Sequence, residues 1–159
     1  MKVKNSYVAD RFADVEQALA KASAWSAQDA ELGAYLAGYL VVLISGVFED
    51  CAERLICDRA DRAGDPELAC FIRRRLSLTF RNPTPDKIRD VLKDFDSSYH
   101  SKYRKRVPSE AEEALASIVT NKNHLAHGTT AKMQVTIADV DGYFQRSNQV
   151  LAALEDVLA

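Results

Sequence analysis

The chain has 159 residues, of which 47% are hydrophobic and 28% are charged, as in soluble globular proteins. This length suffices for a buried core and predicts a single domain over residues 1–159. The net charge of −2 excludes a generally basic nucleic-acid-binding protein, so any surface for a polyanion must be local.

The first half of the chain predicts two long helices. The first spans residues 6–24, and a capping box formed by Ser26 and Asp29 predicts the start of the second, which extends to about residue 63. Residues 32–48 carry no charged side chain and reach the lower limit of a membrane span, but acidic residues flank them on both sides. We therefore interpret the second helix as the centre of a soluble bundle and expect no membrane association.

A basic insertion of shorter helices follows. Asp65 and Thr84 predict the starts of helices over residues 67–80 and 86–95, because each is followed by a proline suited to the first helical turn. Residues 71–106 contain eleven Lys and Arg but only four Asp and Glu. This excess of positive charge predicts a local surface for a polyanion.

Two basic clusters lie within this insertion, at residues 73–75 and 102–106. Tyr99 and Tyr103 accompany the second cluster, so the pattern resembles an electrostatic platform with stacking residues for single-stranded RNA. The alternative is a charged connector that is simply solvated. The residues predicted to contact RNA are Arg73, Arg74, Arg75, Lys102, Arg104, Lys105 and Arg106.

Two further helices complete the chain. A capping box formed by Ser109 and Glu112 predicts the start of one, and Gly128 is well placed as the left-handed residue that ends it. A capping box formed by Thr136 and Asp139 predicts the start of the last helix. No alternating strand pattern persists, so the sequence predicts an all-α fold, an antiparallel helical bundle with a basic helical insertion.

The first of these two helices ends in a polar run. Residues 120–128 read Thr-Asn-Lys-Asn-His-Leu-Ala-His-Gly. Lys122 falls on the stripe that should be apolar, so it requires a polar partner or a polar site. His127 offers a titratable base, Asn123 an amide and Lys122 a cation. These are the groups needed to cleave RNA without a metal.

A second interpretation of the same run is a metal site, because His124 and His127 form a His-x-x-His pair. The only other histidine is His100, and no cysteine lies near the pair in sequence. Nothing in the spacing therefore requires a metal, and we expect neither a metal ion nor another cofactor.

Two stretches of the chain resemble a known family. Residues 122–128 resemble the Arg-Asn-x-x-Ala-His-Gly signature of HEPN domains, with Lys122 in place of the motif arginine. Residues 39–49 are similar to the second helix of the RiboL-PSP and MAE-type HEPN groups. The resemblance implies a helical domain that acts as a metal-independent endoribonuclease of the toxin or defence type, and it implies RNA and a cognate antitoxin as partners.

The resemblance also implies which residues form the active site. His127, Lys122 and Asn123 would be catalytic, and Glu49 occupies a position that is often polar or acidic in the family and could orient the histidine. One histidine cannot easily serve as both base and acid, and the resemblance implies a homodimer whose two copies form a composite site for attack by the ribose 2′-hydroxyl.

Two other interpretations stay open. The first is a catalytically inactive HEPN module that binds RNA or a protein, because Lys122 lacks the planar donor fork of arginine that suits phosphate. The second is a helical scaffold whose polar helix end has no activity.

The cysteines and the N-terminus predict a cellular compartment. Cys51, Cys57 and Cys70 lack Cys-x-x-Cys spacing and are interpreted as buried thiols in a reducing environment. The chain begins with a polar segment in which no signal peptide is visible. We therefore expect a cytoplasmic protein.

Overall fold

The computed structural model describes residues 3–27, 29–127 and 135–159, and these residues form seven helices and no strand. The helices are α1 (Ser6–Ser26), α2 (Ala30–Arg62), α3 (Pro66–Thr79), α4 (Pro85–Phe95), α5 (Ser97–Arg106), α6 (Ser109–Ala126) and α7 (Ile137–Leu158). The predicted all-α fold is confirmed. The predicted role of Gly128 falls on a residue outside those described.

Three predicted helix starts are confirmed. The side chains of Asp65 and Thr84 accept hydrogen bonds from backbone amides in the first turns of α3 and α4, and a proline begins each helix. Thr136 and Asp139 form the predicted reciprocal capping box at the start of α7. Local rules of capping thus locate the start of the insertion and of the last helix.

The predicted capping box between α1 and α2 is wrong. Ser26 is the last residue of α1 and its hydroxyl donates back to the carbonyl oxygen of Ser23. Asp29 caps α2 alone, by accepting hydrogen bonds from two backbone amides of its first turn.

The predicted capping box at Ser109 is also wrong, because Pro108 is the N-cap of α6 and no side chain among the described residues caps this helix end. Glu112 instead accepts a hydrogen bond from Arg89 of α4 at 2.7 Å. The carboxylate of Glu112, which was predicted to hydrogen-bond the start of its own helix, therefore accepts a hydrogen bond from a neighbouring helix.

The helix α2 is the centre of the bundle and packs against α1, α3, α6 and α7. The helix α1 runs antiparallel to it, since Asn5 hydrogen-bonds Asp58 near the end of α2. The end of α7 also lies beside the end of α2, where Arg62 donates to the backbone oxygen of Leu158. Arg106, just before the start of α6, pairs with Asp156 near the end of α7, so α6 runs antiparallel to α7 and therefore also to α2.

The basic insertion, α3 to α5, belongs to the same hydrophobic core. Leu76 of α3, Ile88 and Leu92 of α4, and Tyr103 of α5 are all buried in it. The helix α4 packs on α5 and α6, and α5 packs on α7. The loop between α3 and α4 is thereby held against the middle of the bundle.

The cysteines differ in exposure. Cys51 is buried, and burial raises the pKa of its thiol to about 12. Cys57 is half-buried, and Cys70 is exposed on the outer side of α3. The prediction of buried thiols is therefore wrong for Cys70. Only one side of α3 packs against α2, and Cys70 lies on the other, exposed side.

One face of α2 is apolar and exposed. It consists of Leu32, Tyr35, Tyr39 and Val42, which are 40–71% exposed and lie three or four residues apart. The most apolar window of α2 has a mean hydropathy of 1.7, and only 44% of it is buried in the bundle. By length and composition α2 could cross a membrane, a property that core helices of soluble bundles share. We call these four residues the exposed α2 face.

Candidate functional site

Two helices and one loop meet at Lys122. The Lys122 ammonium of α6 donates a hydrogen bond to the side-chain oxygen of Asn82, which lies between α3 and α4. The backbone amide of Asn82 donates in turn to the Glu49 carboxylate of α2 at 2.8 Å. Asn82 thus connects two of the predicted site residues, and we call Glu49, Asn82 and Lys122 the Lys122 cluster.

The backbone of Asn82 has an uncommon conformation. Its φ is 54°, in the left-handed region that asparagine enters more readily than most residues. Its carbonyl oxygen accepts a hydrogen bond from the amide of Thr84 at 2.8 Å, and the intervening Pro83 is buried. This turn directs the amide of Asn82 to α2 and its side chain to α6.

Lys122 is half-buried, as are its two cluster partners. Its direct partner is the neutral amide oxygen of Asn82. Within the part of the chain that the structure describes, no carboxylate forms an ion pair with Lys122. The ammonium is therefore positioned but retains its charge for an anion.

Carboxylates accumulate on the α2 side of the cluster. Glu53 lies one turn after Glu49 and is half-buried. Burial raises the pKa of Glu53, the charges of Glu49 and Asp50 raise it further, and Arg81 opposes them. The site is therefore of mixed charge, with the cation contributed by α6 and the acids by α2.

His127 is the C-cap of α6 and its side chain is exposed. Its backbone amide donates to the carbonyl oxygen of Asn123 at 3.1 Å, and Asn123 is exposed as well. His127 lies five residues beyond Lys122, or about 7.5 Å along the helix axis. His124, between them, is half-buried. The motif thus combines a held cation with an exposed imidazole at the helix end.

The two basic clusters contain both engaged and solvated side chains. Arg73 forms an ion pair with Asp61 of α2, and Arg106 forms one with Asp156 at 3.3 Å. Arg75 lines a groove of about 400 Å³ between α3 and α4. The remaining members, all exposed, are Arg74, Lys102, Arg104 and Lys105.

The prediction of Tyr103 as a stacking residue is wrong. Tyr103 is fully buried in the core, and this burial, with Glu112 nearby, raises the pKa of its phenol. Tyr99 is half-buried, and its hydroxyl accepts two hydrogen bonds from Arg59 of α2. The ammonium of Lys102 lies 5.7 Å from the centre of the Tyr99 ring, so the ring face is already in contact with a cation.

Asn82 was not identified from the sequence. Its partner Lys122 lies forty residues further along the chain, so no local spacing predicts their contact. The only local signal was the Asn-Pro break between α3 and α4, where an asparagine suits a left-handed turn. As to metals, no group of three or more His, Cys, Asp or Glu side chains suited to a metal ion occurs among the described residues.

Comparison with known proteins identifies the family. Neither the curated proteins nor the solved structures include one that matches this chain. The family model described as RiboL-PSP-HEPN matches residues 6–159, which is nearly the whole chain and includes α2, the Lys122 cluster and His127. The chain therefore belongs to the RiboL-PSP-HEPN family.

Proposed function

We propose that the protein is a metal-independent endoribonuclease that cleaves RNA by attack of the ribose 2′-hydroxyl, at a composite site formed by two copies of the chain. The observation that carries the proposal is the half-buried ammonium of Lys122, which is held by a neutral oxygen on the helix that ends at His127. A cation positioned without a carboxylate partner suits a phosphate diester.

The chemistry assigns a role to each motif residue. His127 takes the proton from the 2′-hydroxyl, because histidine is the side chain that most often serves as a general base. Lys122 stabilises the negative charge that builds on the non-bridging oxygens of the phosphate. Asn123 is exposed one turn before His127, and in this proposal it hydrogen-bonds the ribose or phosphate. Glu49 positions Asn82, because its carboxylate accepts a hydrogen bond from the backbone amide of Asn82.

Dimerisation supplies the second histidine that protonates the leaving 5′-oxygen. The exposed α2 face supports this part of the proposal, since four apolar side chains in one stripe are costly to leave in water. Gly46 continues the stripe, and a Cβ added there would meet no atom of the described residues within 4 Å. Glu49 follows three residues later, so a partner on this face would come close to the Lys122 cluster.

The RNA would extend from the site over the exposed basic residues of the insertion. Arg74, Arg104 and Lys105 are the best candidates for phosphate contacts, because Arg73 and Arg106 already pair with carboxylates. A cytoplasmic location and a cognate antitoxin remain part of this proposal.

The proposal is tested by incubating the purified protein with RNA in the presence of a chelator. We expect cleavage to products that end in a cyclic phosphate or a 3′-phosphate, because the nucleophile is the ribose itself. Absence of cleavage by an intact dimer would refute the proposed ribonuclease activity.

A second candidate function is an inactive HEPN module that binds RNA or a protein. It is favoured by Lys122 itself, since a lysine lacks the planar donor fork of the motif arginine. This candidate predicts RNA affinity without cleavage, and the same assay separates the two.

A further inference from the structure

We propose that Asn82 supplies the second hydrogen-bond donor to the scissile phosphate, so that Asn82 and Lys122 together replace the donor fork of an arginine. This inference rests on the proposed function and names a residue of its site.

The first argument is the orientation of the Asn82 amide. An ammonium only donates hydrogen bonds, so the atom of Asn82 that contacts Lys122 must be its side-chain oxygen. The amide nitrogen, on the other branch of the same planar group, then keeps two N–H donors. Among the described residues Lys122 contacts no second acceptor, so two of its three N–H donors also remain. Four donors on two adjacent groups are thus available to an anion.

The second argument is that Asn82 is held rigidly. Its backbone amide donates a hydrogen bond to the Glu49 carboxylate at 2.8 Å, and its carbonyl oxygen accepts one from the backbone amide of Thr84 at 2.8 Å. Its φ of 54° fixes the direction in which the side chain leaves the loop. A donor held in advance stabilises developing charge without the cost of ordering it during the reaction.

The third argument concerns what lysine lacks. Arginine presents two parallel N–H groups to two phosphate oxygens, whereas lysine acts as a point charge. The side-chain oxygen of Asn82 accepts a hydrogen bond from the ammonium, so the amide N–H groups belong to the same small planar group that holds the cation. This contact gives the lysine of this chain a partner suited to the same task.

The test uses three replacements that keep the loop conformation or the cation. Asn82→Gly and Asn82→Asp both tolerate the left-handed backbone. The first removes the side chain, and the second keeps an acceptor for Lys122 but replaces the donor with a carboxylate that also pairs with the cation. Lys122→Arg introduces a complete fork. Cleavage rates and affinities for a 2′-O-methyl oligonucleotide, which cannot be cleaved, are measured for each variant and for the double variant Asn82→Gly with Lys122→Arg.

We expect Asn82→Gly and Asn82→Asp each to lower the cleavage rate by about 100-fold or more, the typical cost of one lost oxyanion donor. We expect Lys122→Arg to change the rate little in the wild type but to restore most of it in the Asn82→Gly background. Equal effects of Lys122→Arg in both backgrounds, or Asn82→Asp at the wild-type rate, would overturn the inference.

The affinity measurement separates this inference from the proposed function. If the wild type does not cleave RNA, the enzyme is refuted. The role of Asn82 is then decided by the oligonucleotide alone. Weaker binding by both Asn82 variants, recovered with Lys122→Arg, supports it, and unchanged binding overturns it.

Discussion

Lys122 of α6 and Asn82 of the α3–α4 loop are joined by a hydrogen bond between side chains that lie forty residues apart in sequence. This contact gives the basic insertion a role in the site, because the insertion delivers the residue that positions the cation. Its consequences, and those of the exposed α2 face, lead to the following predictions.

The exposed α2 face is predicted to be the dimer interface. Tyr39→Glu should convert a dimer at micromolar concentration into a monomer, because it places a charge in the centre of the apolar contact. Gly46→Leu should also weaken the dimer, although a Cβ at this exposed position meets no described atom of its own chain. Sedimentation velocity measures both effects.

Leu78→Glu is the matched control for this experiment. Leu78 is 73% exposed on α3 and does not belong to the exposed α2 face. We expect this variant to remain a dimer. A wild-type monomer at the same concentration, or a dimer undisturbed by Tyr39→Glu, would contradict the interface.

RNA binding is predicted to depend on Arg104 and Lys105. Replacing both by alanine should reduce the magnitude of the salt slope of log K by about 1.4, since each phosphate contact to a single strand contributes about 0.7. Fluorescence anisotropy at several salt concentrations gives the slope. Lys21→Ala with Arg146→Ala removes the same charge from other exposed positions and should leave the slope unchanged. Identical slopes for the two double variants would show that the cluster is only solvated.

Tyr103 is predicted to stabilise the fold and not to bind RNA. Tyr103→Ala should lower the free energy of unfolding by about 3–5 kcal/mol, as for other large buried aromatic residues. Tyr103→Leu removes the aromatic ring but keeps an apolar side chain in the core, so it should leave the RNA affinity of the folded protein unchanged. Urea denaturation and anisotropy measure the two quantities, and a loss of affinity in folded Tyr103→Leu would restore the stacking role.

Glu53 is predicted to make stability depend on pH. Its pKa is raised in the fold by burial and by Glu49 and Asp50, so folding favours its protonated form. The stabilisation by protonated Glu53 is fully present below the pKa that Glu53 has in the unfolded chain. It is lost as the pH rises through the higher pKa of Glu53 in the fold. Glu53→Gln should therefore raise the free energy of unfolding at pH 7. This gain over the wild type should vanish below about pH 4. Urea denaturation at the two pH values measures this.

The control for Glu53 is Glu16→Gln, on the exposed side of α1. We expect it to show no comparable gain at neutral pH. An equal gain in both variants would attribute the effect to net charge and not to the carboxylates near the Lys122 cluster.

The residues that could be predicted from the sequence are those governed by neighbours along the chain. Asp65 and Thr84 cap α3 and α4 because a cap needs only the next few backbone amides. Ser109 and Glu112 satisfy the same local rule, but the capping box that it predicts does not form. The carboxylate of Glu112 instead accepts a hydrogen bond from Arg89 of another helix.

The candidate site divides in the same way. The polar run around His127 is visible in the sequence because it interrupts a helical stripe. The contact of Lys122 with Asn82, and the burial of Tyr103, depend on how the insertion packs against α2, α6 and α7. Neither has a signal in residue spacing, since both arise from tertiary contacts.

The most direct test of the central claim is cleavage of RNA by the wild type, His127→Ala and His100→Ala, all in the presence of a chelator. His100 is a half-buried histidine of α5 and is the matched control. We predict that the wild type and His100→Ala cleave RNA to products ending in a cyclic phosphate or a 3′-phosphate, and that His127→Ala is slower by about 100-fold to 10,000-fold. Undiminished cleavage by His127→Ala, or no cleavage by a dimeric wild type, would contradict the account.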